Sequence, residues 1–366
     1  MFEIIKQIYL NSIFYDKKIS PKVIYELKYK PSPYLLSSIV KIRAKKFNIN
    51  NFLYDNFWID EKLDQEQLNK LNNFYWLFSL DLKSSNKSVQ KVIKNWIEKN
   101  YKYNSKNWNF EITSKRIISW LSNTTLTYDD GGDQYQKDFN SIIHKQTFHL
   151  INQIDKEMKL NNKIRGAAAI ILVGLSYKNE KNFTIKGLDN LKKIIKYTID
   201  NNGFPKSRNI KSSVFFLKYL ILIREWFKES QSEIPNFINE SIFNLGQSYA
   251  FFWDNLKFDP LFNGNNNSDN QEFDIYLKRL GYSFKNNDHE FSDYVSLKDK
   301  KINLIMDVGS SPNKKFSGDY QAGALSFEFV SNKKKIFTNA GYYSDGNFKF
   351  KEASRSSAVH NVLVID

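Results

Sequence analysis

The sequence predicts an α+β chain in which a helical domain precedes an antiparallel β domain, with the two kinds of element segregated rather than interleaved. Two observations predict it. From about residue 60 to 255 apolar residues recur at helical spacing, and after about residue 258 they alternate or form short runs. Between them lies a turn-rich boundary, Asp259 to Asn267, reading DPLFNGNNN.

The helical part contains several one-faced stripes. Leu68, Leu71, Tyr75 and Phe78 predict one amphipathic helix, and Val89, Val92, Ile93, Trp96 and Ile97 another. Ile117, Ile118, Trp120 and Leu121 belong to a third. Leu188, Leu191, Ile194 and Ile195 form a stripe that closes at Asn201-Asn202-Gly203, a C-terminal stop. Val214 to Phe227 is apolar nearly all round and predicts a helix buried on most sides; Ile238 to Trp253 predicts another. Seven to nine helices are expected in all.

In the β part, Tyr294 to Lys298 alternates and Ile302 to Val308 is a continuous strand candidate. Leu325, Phe327 and Phe329 alternate with Ser326 and Glu328, the pattern of a half-buried strand. That strand returns through Ser331 to Lys335 into Ile336 to Thr338 as a hairpin. Val362 and Val364 alternate again, and the sequence stops within this run, so an incomplete β domain is expected. The expected division is an N-terminal extension over 1–59, a helical domain over 60–257 and a β domain over 258–366.

Composition removes several classes of function. There is no cysteine, hence no disulfide framework, zinc–thiolate site or catalytic thiol. The net charge of +15 rests on 47 lysines and only 7 arginines, with 39 acids interspersed. A reader of nucleic acid spends arginine on bidentate contacts, so no nucleic-acid partner is expected, whereas an anionic polymer suits the charge. The longest apolar run, Gly166 to Leu175, spans about 15 Å as a helix, half a bilayer core. No membrane span and no signal peptide are read. Phosphate-binding loops, dinucleotide turns and the G-x-S-x-G elbow are absent.

Four histidines occur. His144 and His149 are five residues apart, off the spacing of a helical metal pair, and read as surface or packing residues; His289 sits in a polar turn. His360 lies between a small-residue run and a strand, beside Asn361. Trp58, Trp76, Trp96, Trp108 and Trp120 are either core residues or faces on which a sugar ring could stack.

Three segments then carry a resemblance. They are Ala324-Leu325-Ser326-Phe327-Glu328-Phe329, Asn339-Ala340-Gly341-Tyr342-Tyr343, and Arg355-Ser356-Ser357-Ala358-Val359-His360-Asn361-Val362. In order and spacing they resemble the C-terminal domain of the heparinase II/III-like polysaccharide lyases. More loosely, Trp108 with Arg116-Ile117 and Trp120, Asn161-Asn162, and Asn202-Gly203 through Arg208-Asn209 resemble motifs of the family's helical half. The resemblance implies an (α/α) toroid followed by an antiparallel β-sandwich. It implies β-elimination on a uronate-containing anionic polysaccharide, without a cofactor. Family members are usually periplasmic or in the cell envelope.

Carried over residue by residue, the resemblance assigns Asn162, Tyr320 and His360 to catalysis. It assigns Lys163, Arg208, Asn209, Gln321 and Arg355 to substrate binding. Asn162 keeps the charge-neutralising amide, but Lys163 replaces the histidine beside it. Both histidines of the family's G-H-A-H-A-D run are lost in Gly318 to Gly323, the aspartate of the next motif is Asn339, and the catalytic tyrosine position falls near Lys211. Tyr320 is a candidate base if a cation lowers its pKa. With only His360 left of the ligand set, no zinc is expected. Two functions stay open: a lyase with a rearranged site, and a glycan-binding or envelope-assembly protein on the same fold.

Overall fold

The computed structural model describes residues 2–23, 25–37, 39, 63–80, 85–256, 260–266, 270–332, 334–343 and 348–362. Trp58, Val364 and the strand expected at the end of the sequence lie outside these residues, apart from Val362, which is in no strand.

Fourteen α-helices are described, followed from α13 on by five strands. They are α1 Phe2–Leu10, α2 Ile13–Ile19, α3 Pro33–Ser37, α4 Gln65–Asn72, α5 Asn86–Asn100, α6 Phe110–Leu121 and α7 Thr124–Thr127. Then come α8 Asp133–Gln153, α9 Leu160–Ser176, α10 Lys181–Thr198, α11 Ile210–Glu229, α12 Asn236–Leu256, α13 Gln271–Arg279 and, after the strands, α14 Phe348–Ala353. By contact the chain forms two compact units, residues 1–192 with 222–234 and residues 193–221 with 235–366.

In the first unit α6, α8 and α9 pack on one another. α9 can approach closely because it is built of small residues. A Cβ on Gly166 would fall 2.3 Å from the Phe110 ring of α6, so only glycine fits there. Phe74, Trp96 and Trp120 meet edge to face, and Phe139 stacks on Trp120. Trp76, Trp96, Trp108 and Trp120 are all buried and act as core. The N-terminal helices are tied to α8: the Tyr15 hydroxyl meets His149 Nδ1 at 2.8 Å, and Lys145 Nζ donates to Asp16 at 2.7 Å.

One predicted helix is broken. The stripe from Leu68 to Phe78 divides into α4 and a 3₁₀ turn over Tyr75–Ser79, because Phe74 adopts φ 59° and turns its ring fully into the core. The Asn73 side chain accepts from Tyr75 N at 2.8 Å and supports the break.

In the second unit the strands β1 Glu290–Phe291, β2 Tyr294–Lys298, β3 Ile302–Asp307, β4 Phe327–Ser331 and β5 Lys334–Phe337 form one antiparallel meander in sequence order. Ser292 and Asp293, both at positive φ, make the two-residue turn between β1 and β2. The core joins Phe204, Phe251, Phe252, Phe262, Tyr294, Ile305 and Val330.

The facing of β4 differs from its hydrophobic pattern. Ser326, Glu328 and Val330 point inward, while Phe327 and Phe329 are half-buried. Glu328 is fully buried because its carboxylate accepts from Leu261 N, Thr338 Oγ1 and Asn339 N and faces Lys335 Nζ at 3.4 Å. Four partners offset the cost of desolvating one charge, so the carboxylate outcompetes the phenylalanines for the interior.

Candidate functional site

Six of the eight expected site residues fall in the second unit, and several meet. Gly264, at φ 81°, is the point of convergence. A Cβ there would lie 2.4 Å from Asn209 Nδ2 and 2.9 Å from Asp319 Cβ, so glycine alone lets the loop come this close. Gln321 Oε1 accepts from Gly264 N at 3.0 Å. Its amide nitrogen donates to the carbonyls of Gly341 at 3.1 Å and Ser354 at 2.6 Å. One buried side chain thus holds three loops, and its polar atoms are spent on backbone.

His360 is linked to this arrangement. Its ring hydrogen-bonds the same Ser354 backbone, and its Nε2 is buried without a hydrogen-bond partner among the described residues. The proton therefore sits on Nδ1 and the buried Nε2 lone pair is unpartnered. Burial lowers the His360 pKa, only partly opposed by the Ser354 bond, so the ring is neutral at pH 7. Arg355 braces the neighbouring strand of chain: its Nε donates to Tyr320 O at 3.1 Å, and Ala322 N donates to Arg355 O at 2.8 Å. The Tyr320 side chain is half-buried.

Arg208 and Asn209 are structural where they stand. Asn209 precedes α11 and its Oδ1 accepts from Ser212 N at 3.1 Å, a helix cap. Arg208 has φ 57°, a strained value for a residue with a side chain. Its guanidinium donates to Asp307 at 2.6 Å, to Asp293 at 3.3 Å and to the Ser292 and Asp293 carbonyls, and it lies 4.6 Å from the Tyr294 ring centre. Burial opposes its charge, but Tyr294, Asp307 and Asp293 outweigh that and raise its pKa. These contacts clamp the β1–β2 turn.

Asn162 and Lys163 belong to the first unit, at the start of α9. Asn162 is buried, and its Oδ1 accepts from Arg165 Nη1 at 3.0 Å. This bond sets the amide orientation and turns the NH₂ group away from Arg165. Arg165 also faces Glu111 at 3.4 Å, and Glu111 pairs with Lys115. Burial opposes ionisation of Glu111, but Lys115 and Arg165 hold its carboxyl below the usual range. Sequence reasoning missed Arg165 and Glu111. The Asn162/Arg165 spacing of three and the Glu111/Lys115 spacing of four were the available signals. Lys163 Nζ reaches the Asp155 carbonyl, at 3.5 Å.

The family's metal does not fit this donor set. The Gln321 oxygen is engaged by Gly264 N, and Asn339 Oδ1 accepts from Asn361 N at 3.0 Å. That leaves His360 Nε2 as the open donor of the three. Among the described residues no three His, Cys, Asp or Glu side chains are grouped to hold an ion.

Residues 286–366 match the family described as Heparinase II/III-like, C-terminal. That segment, under a quarter of the chain, is heparinase II/III-like. A crystal structure of heparinase III aligns with TM-score 0.64 and 16% identity, over 94% of this chain and 64% of that one. A mutant of the heparan sulfate lyase HepC from Pedobacter heparinus aligns with TM-score 0.65 and 14% identity, over 96% and 64%. At such identity the likeness establishes the fold alone: a helical part followed by an antiparallel sheet, as in heparinase III. The chain spans slightly less than two thirds of the length of these structures. No curated protein matches its sequence.

Proposed function

We propose that the protein is a polysaccharide lyase that acts by β-elimination on a uronate-containing anionic polysaccharide. The observation that carries this reading is the unpartnered, unprotonated Nε2 of His360, a buried nitrogen that a substrate reaches only when the chain around it moves aside, on a ring held in its tautomer by Ser354. A neutral imidazole with a free lone pair is a general base. The reaction needs a donor that neutralises the uronate carboxylate and so acidifies the C5 proton. His360 Nε2 takes that proton, the C4–C5 double bond forms, and the C4–O bond breaks with its electron pair leaving on oxygen, which is then protonated. Tyr320 is the competing base.

The test is incubation with a panel of uronate polysaccharides while following the ultraviolet absorbance of the unsaturated product. His360→Gln should lower turnover by about 10²-fold or more while glycan binding is kept, the loss expected when a base is removed. Tyr320→Phe should keep most turnover. The reverse result makes Tyr320 the base, and turnover unchanged in both variants removes both.

A second reading has its own support. Lys163 stands where the family has a histidine, and Lys211 stands near its tyrosine. A glycan-binding protein of this fold would bind the panel and yield no product.

A further inference from the structure

The first helix is inside out. On α1, Lys6 and Gln7 are half-buried and Leu10 is buried, whereas Ile4, Ile5 and Ile8 are 66%, 58% and 67% exposed. Exposed apolar residues follow at the start of α2, where Ile13 is 64% and Phe14 77% exposed. A surface helix ordinarily turns its apolar stripe to the core. Here the polar side lies inward, where Lys6 and Gln7 line a polar cavity of about 190 Å³ together with Tyr103 and Gln153. Packing alone gives no reason for isoleucines on the outer side.

The patch is also held in place. Tyr15 and Ile19 of α2 are buried, and Tyr15 and Asp16 are bonded to His149 and Lys145 of α8. Its surroundings are basic. Lys17, Lys18 and Lys22 are exposed beside it, while Asp16 is committed to Lys145.

We infer that the α1–α2 face seats the protein on an anionic lipid surface. Isoleucine and phenylalanine side chains would enter the interface, and the lysines would meet lipid headgroups, as in interfacial amphipathic helices. The charge selects this occupant over a second copy of the chain. A two-fold contact through the same patch would bring the lysine rim against itself. The inference is independent of any lyase activity.

The test is flotation of the whole chain with phosphatidylcholine vesicles, with and without about one third phosphatidylglycerol. Anionic vesicles should carry at least about tenfold more protein than neutral ones, and high salt should reduce the difference. Ile5→Gln with Ile8→Gln should lower partition by about tenfold or more. Lys17→Glu with Lys18→Glu should lower it by about fivefold per lysine. Phe14→Ser tests α2 alone and should act in the same direction, and unchanged circular dichroism shows that the variants fold. Failure to float with anionic vesicles overturns the inference, as does binding unchanged in the Ile5/Ile8 variant. So does a dimer in sedimentation equilibrium that this variant dissociates while no vesicle binding is seen.

Discussion

Arg116 of the helical unit and Arg208 of the sheet unit are both buried arginines lying over an aromatic ring, Trp96 at 4.1 Å and Tyr294 at 4.6 Å. Their counter-charges differ. Arg208 meets the carboxylates of Asp307 and Asp293. Arg116 meets no carboxylate among the described residues. Its donors go to the Asn72 carbonyl at 2.8 Å, the Asn107 carbonyl at 3.0 Å, Gln146 Oε1 and Thr113 Oγ1. The Asn72 carbonyl is the last of α4, where the helix dipole leaves partial negative charge. A helical unit can thus hold a cation with backbone ends, whereas a meander, whose strand dipoles cancel, needs formal acids. The two pKa directions agree: burial pushes Arg116 well down, while Arg208 is raised.

The comparison breaks most visibly at Arg208. Arg208→Met leaves Asp307 buried without its cation and should cost about 3–5 kcal/mol in urea unfolding. Adding Asp307→Asn should restore much of that loss, since the stranded charge is then gone.

The next effect is on acid stability. His149 is buried beside Arg116; burial, with Arg116 adding to it, lowers its pKa to about 3 against the bond to the Trp108 carbonyl. The native state therefore refuses a proton that the unfolded chain accepts near pH 6.5. Stability from this group is fully present above about pH 6.5 and is lost as pH falls toward 3, by roughly 5 kcal/mol in total. His360 is lowered too and adds in the same direction. The His149 part is read as the difference between parent and His149→Gln in urea midpoints across that window. Equal slopes would mean that His149 is protonated in the native state.

The smallest effect is expected for Arg116→Met. It takes a donor from four oxygens but strands no charge, so it should cost about 1–3 kcal/mol. A cost equal to that of Arg208→Met would show that carbonyl ends and carboxylates are equivalent counter-charges.

Much of the architecture was legible in the period of the sequence. α5, α6, α10, α11 and α12 cover the predicted stripes other than the broken one, β2 and β4 fall where alternation was read, β3 lies on the continuous apolar run, and β5 begins at Lys334, inside the turn expected over Ser331 to Lys335. What stayed hidden was set at long range. Glu328 turns inward because Leu261, Thr338 and Asn339 supply donors, and no local pattern announces them. Arg208 matches a motif position, yet its carboxylates are 85 and 99 residues away in sequence. Motif matching marks a residue as special without saying whether its charge is free. The break at Phe74 was hidden for a different reason: apolar spacing continues through it, and only the left-handed backbone there interrupts the helix.

The Gln321 amide also constrains how this chain could change over time. It meets one N–H and two carbonyls at once, at a position where the family resemblance has a histidine. An imidazole carries at most one acceptor and one donor when neutral. Restoring histidine there would strand the carbonyl of either Gly341 or Ser354, and Ser354 is also the group that sets the His360 tautomer. Gln321→His is therefore blocked as a single step. It would need a compensating change in one of the two loops first, so the position can change only as one of a coupled pair of substitutions.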